Sequence, residues 1–101
     1  MSISKNILSE EHENLLRQLN RFMDEKKRLP KGSIRMKSIR KKKYPYLQYK
    51  ENGKVKSKLI KQDDDIDEII KKIERRKIIE VRIRNIKVEI REIEKALKKL
   101  K

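Results

Sequence analysis

From Leu8 onward the apolar residues recur with helical spacing, at Leu8, Leu15, Leu16, Leu19, Phe22, Met23 and Leu29. Leu8, Leu15, Phe22 and Leu29 are seven apart, with Leu19 between them on the same stripe, which predicts a helix over 4–29 with one narrow apolar face. Ser9, ahead of Glu10, Glu11 and Glu13, reads as an N-cap with acids in the first turn, and Ser4 offers an earlier start. Lys26, Lys27 and Arg28 crowd the last turn, where the helix dipole favours cations, and Pro30 with Gly32 ends the helix.

A second helical pattern covers 65–100. Asp63, Asp64 and Asp65 open it, and Asp65 and Glu68 are spaced as a capping box. It runs unbroken for about 35 residues, ~52 Å at 1.5 Å per residue. Its distal half carries Ile79, Ile83, Ile86, Ile90, Ile93, Leu97 and Leu100 in alternating steps of four and three, which is a coiled-coil seam. Arg76 and Lys72 occupy the next seam positions upstream and end it. There Ile66, Ile69, Ile70 and Ile73 form a broader face suited to packing on the segment between the helices. The two seams match in length, so an antiparallel helical hairpin is expected, with His12 a structural seam residue rather than a ligand. Ile78, Val81 and Val88 make a sparse second stripe on the far side, from which a homodimer through the second helix is expected.

Between the helices the period changes to two. Asn52-Gly53 is a strong hairpin signal, because a type I′ turn needs positive φ at both central residues. A two-residue loop there pairs Glu51 with Lys54, Lys50 with Val55, Tyr49 with Lys56, Gln48 with Ser57, Leu47 with Lys58 and Tyr46 with Leu59. One face then carries Tyr46, Gln48, Lys50, Val55, Ser57 and Leu59, expected to pack on Ile66, Ile70 and Ile73. The other carries Leu47, Tyr49, Glu51, Lys54, Lys56 and Lys58 and looks outward. Ile34 and Met36 alternate with Arg35 and Lys37, so Ser33–Arg40 reads as a third strand, joined by a loop over Lys41, Lys42 and Lys43. The fold class is therefore α+β. A coiled-coil stem carries a small three-stranded antiparallel β-sheet over 33–61 at the tip of the helical hairpin, within a single domain, 1–101.

Charge sharpens this picture. Residues 1–25 hold three basic and five acidic side chains, and residues 63–101 hold thirteen and ten. Residues 26–62 hold fifteen basic side chains and one acid, Glu51, so nearly all of the net charge of +15 lies in the middle third. Intermixed charge is what solvated helices carry. Fifteen like charges repel one another, and a polyanion relieves that repulsion. A basic surface kept for solubility is the plain alternative, although acidic residues serve solubility better. The expectation is that folding gathers these cations on one platform.

The chemistry available is thin. There is no cysteine and one histidine, which argues against nucleophilic triads and histidine acid–base work. Asp63, Asp64, Asp65, Asp67 and Glu68 could hold Mg²⁺, but a helix N-terminus favours the same residues, so neither metal nor cofactor is expected. With 35% apolar residues and no long apolar run, the chain has no expected membrane span or signal peptide, and a cytoplasmic location is expected.

Binding is the better expectation. Arg35, Lys37, Arg40, Lys41, Lys42, Lys43, Lys54, Lys56 and Lys58 are the candidate phosphate contacts, and Tyr49 is the candidate stacking ring. A β-sheet can enter the major groove of DNA, while A-form RNA would be held through phosphates and 2′-hydroxyls. The expected function is a non-enzymatic nucleic-acid-binding protein, with DNA or RNA as partner. Two other readings compete: a mobile-element or phage inhibitor or adaptor of a nucleic-acid-processing host protein such as a CRISPR effector, and a bare coiled-coil oligomerisation module.

From about Leu29 onward, "KGSI", then "YPYLQYKENGKVKS", then a charged helix opening with acids resemble a family of small basic proteins of no settled activity, encoded near transposon or prophage genes. The likeness covers some 70 residues. Many relatives carry cysteines where this chain has "RMKSIRKKK", so any metal those cysteines hold is not implied here. The resemblance implies a mobile-element protein that acts on nucleic acid or on a nucleic-acid machine.

Overall fold

The computed structural model describes residues 5–61 and 65–100. It has the expected α+β class, in the order α1 (Lys5–Lys27), β1 (Ser33–Ile39), β2 (Lys42–Glu51), β3 (Lys54–Leu59) and α2 (Ile66–Lys99). The chain divides into two compact units, Met1–Arg28 with Ile78–Lys101 and Leu29–Lys77. Among the described residues no helix is long and apolar enough to cross a membrane.

The first unit pairs α1 with the distal half of α2. His12 Nε2 lies 3.2 Å from Glu94 Oε2, and the Arg82 guanidinium sits 5.8 Å from the Phe22 ring centroid, so the helices run antiparallel. Leu15, Ile86 and Ile90 form the core, with Leu19, Phe22 and Ile93 packed on it. Ile79 and Ile83 are buried too, so the step-of-four, step-of-three pattern is the buried face from Ile79 to Ile90, each of these isoleucines contributing about 1.5–3 kcal/mol by leaving water; the expected seam gives out at Leu100, which is exposed near the helix end. Ile78, Val81 and Val88 are exposed. Helix α1 begins at Lys5, which puts Ser9 inside the helix rather than at its cap; Ser4 lies outside the described residues.

In the second unit α2 begins where Asp65 caps it. The Glu68 N–H donates to Asp65 Oδ1 at 3.2 Å, and the Ile69 N–H donates to the Asp65 carbonyl at 3.1 Å. Leu29, counted above as a seam position, falls past the end of α1, because the residue before a proline avoids the helical region. Its carbonyl instead accepts a 2.8 Å hydrogen bond from Arg76.

The sheet has the order β1-β2-β3, antiparallel throughout. The β2–β3 register is the one Asn52-Gly53 dictates, from Glu51 opposite Lys54 to Tyr46 opposite Leu59. Asn52 and Gly53 have φ of 52° and 78°. The β1–β2 connection differs from expectation. It is a two-residue turn, Arg40-Lys41, also with both φ positive, at 52° and 68°, and Lys42 and Lys43 belong to β2. Positive φ at both turn residues matches the right-handed twist of the strands, which is why a hairpin adopts this turn even with side chains that disfavour it.

The face expected to be covered by α2 stays open: Val55, Leu59, Ile66 and Ile70 are all exposed. Gln48, Lys50 and Ser57 interrupt that face and leave no continuous apolar surface to seal. Burial in this unit falls instead on Ile60 and Ile73, and the Ile60 N–H donates to the Pro45 carbonyl at 3.0 Å.

Candidate nucleic-acid interface

Register decides where the cations go. Residues directly opposite one another in an antiparallel pair share a face. Arg35 lies opposite Tyr46, Lys37 opposite Tyr44 and Ile39 opposite Lys42, so Arg35, Lys37, Lys42, Tyr44 and Tyr46 share the first face. Lys54, Lys56 and Lys58 lie opposite Glu51, Tyr49 and Leu47, and with Lys43 they occupy the second. Arg40 and Lys41 form the turn at one end.

The sequence-derived contacts are therefore not gathered on one platform; they divide between both faces and one end of the sheet. The parity of the loop is the cause. A three-residue loop over Lys41–Lys43 would pair Arg40 with Tyr44 and bring Arg35 opposite Tyr49, onto the face of Lys54, Lys56 and Lys58. The two-residue turn changes the register by an odd number of residues and moves Arg35 and Lys37 to the other side.

The strands also differ in extent. β3 pairs only with Tyr46–Glu51 and Ile60 just after it bonds the Pro45 carbonyl, so Lys42–Tyr44 of β2 are paired only with Lys37–Ile39 of β1. The β1–β2 hairpin thus outruns the third strand as a two-stranded arm over 37–44, three residues per strand or about 10 Å. The arm carries Lys37, Arg40, Lys41, Lys42 and Lys43, all exposed, and residues 33–50 contain no Asp or Glu.

The electrostatics follow from that composition. Glu51, the sole acid of 26–62, is 3.4 Å from Lys56 Nζ. The Lys37 ammonium lies 4.3 Å from the Tyr46 ring centroid, a cation–π contact. Among the described residues, Arg35, Arg40, Lys41, Lys42, Lys43, Lys54 and Lys58 have no carboxylate within ion-pair distance.

Of the rings, Tyr49 and Tyr46 are half-buried, while Tyr44 is exposed on the arm, on the same face as Lys37 and Lys42. Sequence reasoning singled out Tyr49 and passed over Tyr44. The available signal was the spacing of two between Tyr44 and Tyr46, which puts both rings on one face of a strand. Asp65 is engaged as the helix cap. Of the other acids of the magnesium alternative, Asp67 and Glu68 lie in the first turn of α2, and Asp63 and Asp64 lie outside the described residues.

A family model described as Domain of unknown function (DUF6788) matches residues 6–75, more than two-thirds of the chain, so the chain belongs to that family. The match takes in nearly all of α1, the whole sheet and the first turns of α2. No curated protein and no solved structure matches the chain.

Proposed function

We propose that this DUF6788 protein is a non-enzymatic nucleic-acid-binding protein that holds phosphates with its basic sheet and acts in the cytoplasm. One observation carries the reading: ten cations between Arg35 and Lys58 are ordered on the sheet and its turns, the one acid there, Glu51, is already engaged by Lys56, and Arg35, Arg40, Lys41, Lys42, Lys43, Lys54 and Lys58 have no carboxylate within ion-pair distance among the described residues. Ordered cations without internal partners are what a polyanion neutralises, releasing its own counterions as it does so. The likeness to proteins encoded beside transposon and prophage genes supports a mobile-element setting.

The test is binding of a fluorescein-labelled 20-bp duplex by anisotropy across 50–200 mM salt. Six to ten phosphate contacts give a loss of roughly 10³- to 10⁵-fold over that range. Affinity that is flat with salt, or absent at 50 mM, refutes the reading. A pull-down with and without nuclease separates it from the host-protein alternative. Partners are lost on nuclease treatment if nucleic acid is the ligand, and one retained protein would favour the inhibitor or adaptor reading.

A further inference from the structure

We infer that the two-stranded arm over 37–44 enters the major groove of B-form duplex DNA tip first. The inference rests on the nucleic-acid reading above and adds the class of nucleic acid and the mode of contact. A sheet lying flat on a polyanion uses the cations of one face only. Here Lys37 and Lys42 project from one face of the arm, Lys43 from the other, and Arg40 with Lys41 from its end. A ribbon standing between two phosphate walls needs that distribution.

The dimensions agree. One sheet layer with its side chains occupies about 10 Å, the spacing at which sheets stack. The major groove of B-DNA is about 12 Å wide and about 8.5 Å deep, and the minor groove is about 6 Å wide. The arm outruns the third strand by about 10 Å, enough to reach the floor of a groove about 8.5 Å deep. A-form RNA has a major groove too narrow for it. At the floor, Arg and Lys are the side chains that pair with guanine O6 and N7.

The turn supplies an independent argument. The same sheet closes its other hairpin with Asn52-Gly53, the pair best suited to positive φ, and Gly53 has open space around it. At the arm's tip two long cationic side chains are held in that unfavourable region instead. Strain retained at an exposed tip is explained when the side chains there are needed for contact.

Two sets of measurements test this, both by anisotropy at 150 mM salt with 20-bp duplexes. Arg40→Asn/Lys41→Gly keeps the turn and removes two cations, whereas Lys87→Gln/Lys98→Gln removes two exposed cations from α2. The first variant is expected to melt no lower than wild type and to bind at least tenfold more weakly, and the second to bind within about threefold of wild type. Duplexes whose cytosines carry glucosylated hydroxymethyl groups, which fill the major groove, are expected to bind at least tenfold more weakly, as is RNA duplex of the same sequence. Netropsin in the minor groove is expected to change affinity less than threefold. Equal losses for the two variants, or equal affinity for modified, RNA and plain duplexes, overturn groove entry and leave the general nucleic-acid reading standing. No binding to any probe at 50 mM salt brings down both.

Discussion

Truncating Ile86 to alanine measures how much of the first unit depends on its seam. Ile86 is 1% exposed and lies in the core with Leu15 and Ile90. The substitution removes three carbons, at about 0.8 kcal/mol each, or about 2.4 kcal/mol of lost transfer free energy. A residual cavity of about 40 Å³ adds about 1 kcal/mol, and the better helix propensity of alanine returns about 0.4 kcal/mol. The expected loss is therefore about 3 kcal/mol, a large part of the roughly 5–15 kcal/mol that holds a domain together. Urea unfolding followed by circular dichroism at 222 nm reads it as a fall in midpoint of about 1–3 M, for slopes of about 1–3 kcal/mol/M. Lys87→Ala is the companion, because Lys87 is exposed on the same helix and alanine suits a helix. It is expected within about 0.5 kcal/mol of wild type. A loss below about 1 kcal/mol at Ile86, or an equal loss at Lys87, refutes the assignment of buried and open faces.

Gly32 and Gly53 should respond unequally to alanine. A Cβ at Gly32, where φ is +109°, would overlap the Gln48 carbonyl, so a loss above about 2 kcal/mol is expected. Gly53→Ala meets open space and should lose only about 1–2 kcal/mol for its positive φ. Thermal melts separate the two at about 4–8 °C per kcal/mol, and equal shifts would contradict the close approach of Gly32 to β2. The exposed stripe of Ile78, Val81 and Val88 is proposed to pair two copies through α2. Sedimentation equilibrium should give a dimer that Val81→Glu converts to monomer, and a wild-type monomer at 100 µM sinks that proposal.

Features fixed by neighbouring residues were legible in the sequence. The isoleucine steps named the buried face of α2, and Asn52-Gly53 set six strand pairs, because each signal acts within a few residues. The errors arose where local chemistry and geometry part company. Arg-Lys has no preference for positive φ, so nothing in the residues announces a two-residue turn at Arg40-Lys41. That single uncertainty in loop length carried Arg35 and Lys37 to the wrong face. The open surface around Val55, Leu59, Ile66 and Ile70 was missed for another reason: periodicity marks which residues could share a face and is silent on whether anything covers them. Leu29 fitted the heptad, yet Pro30 overrides periodicity one residue earlier.

β3 pairs on one side only, and every one of its residues is exposed. An outer strand of this kind is a template for another chain, and lysines along it act as a guard against such pairing. Lys54, Lys56 and Lys58 therefore keep molecules apart as well as offering charge. When a bound polyphosphate screens that charge, the guard weakens, and crowded protein on one stretch of DNA gains a route to strand-by-strand assembly. Saturating coverage should then produce turbidity, reversible by salt, that sparse coverage does not.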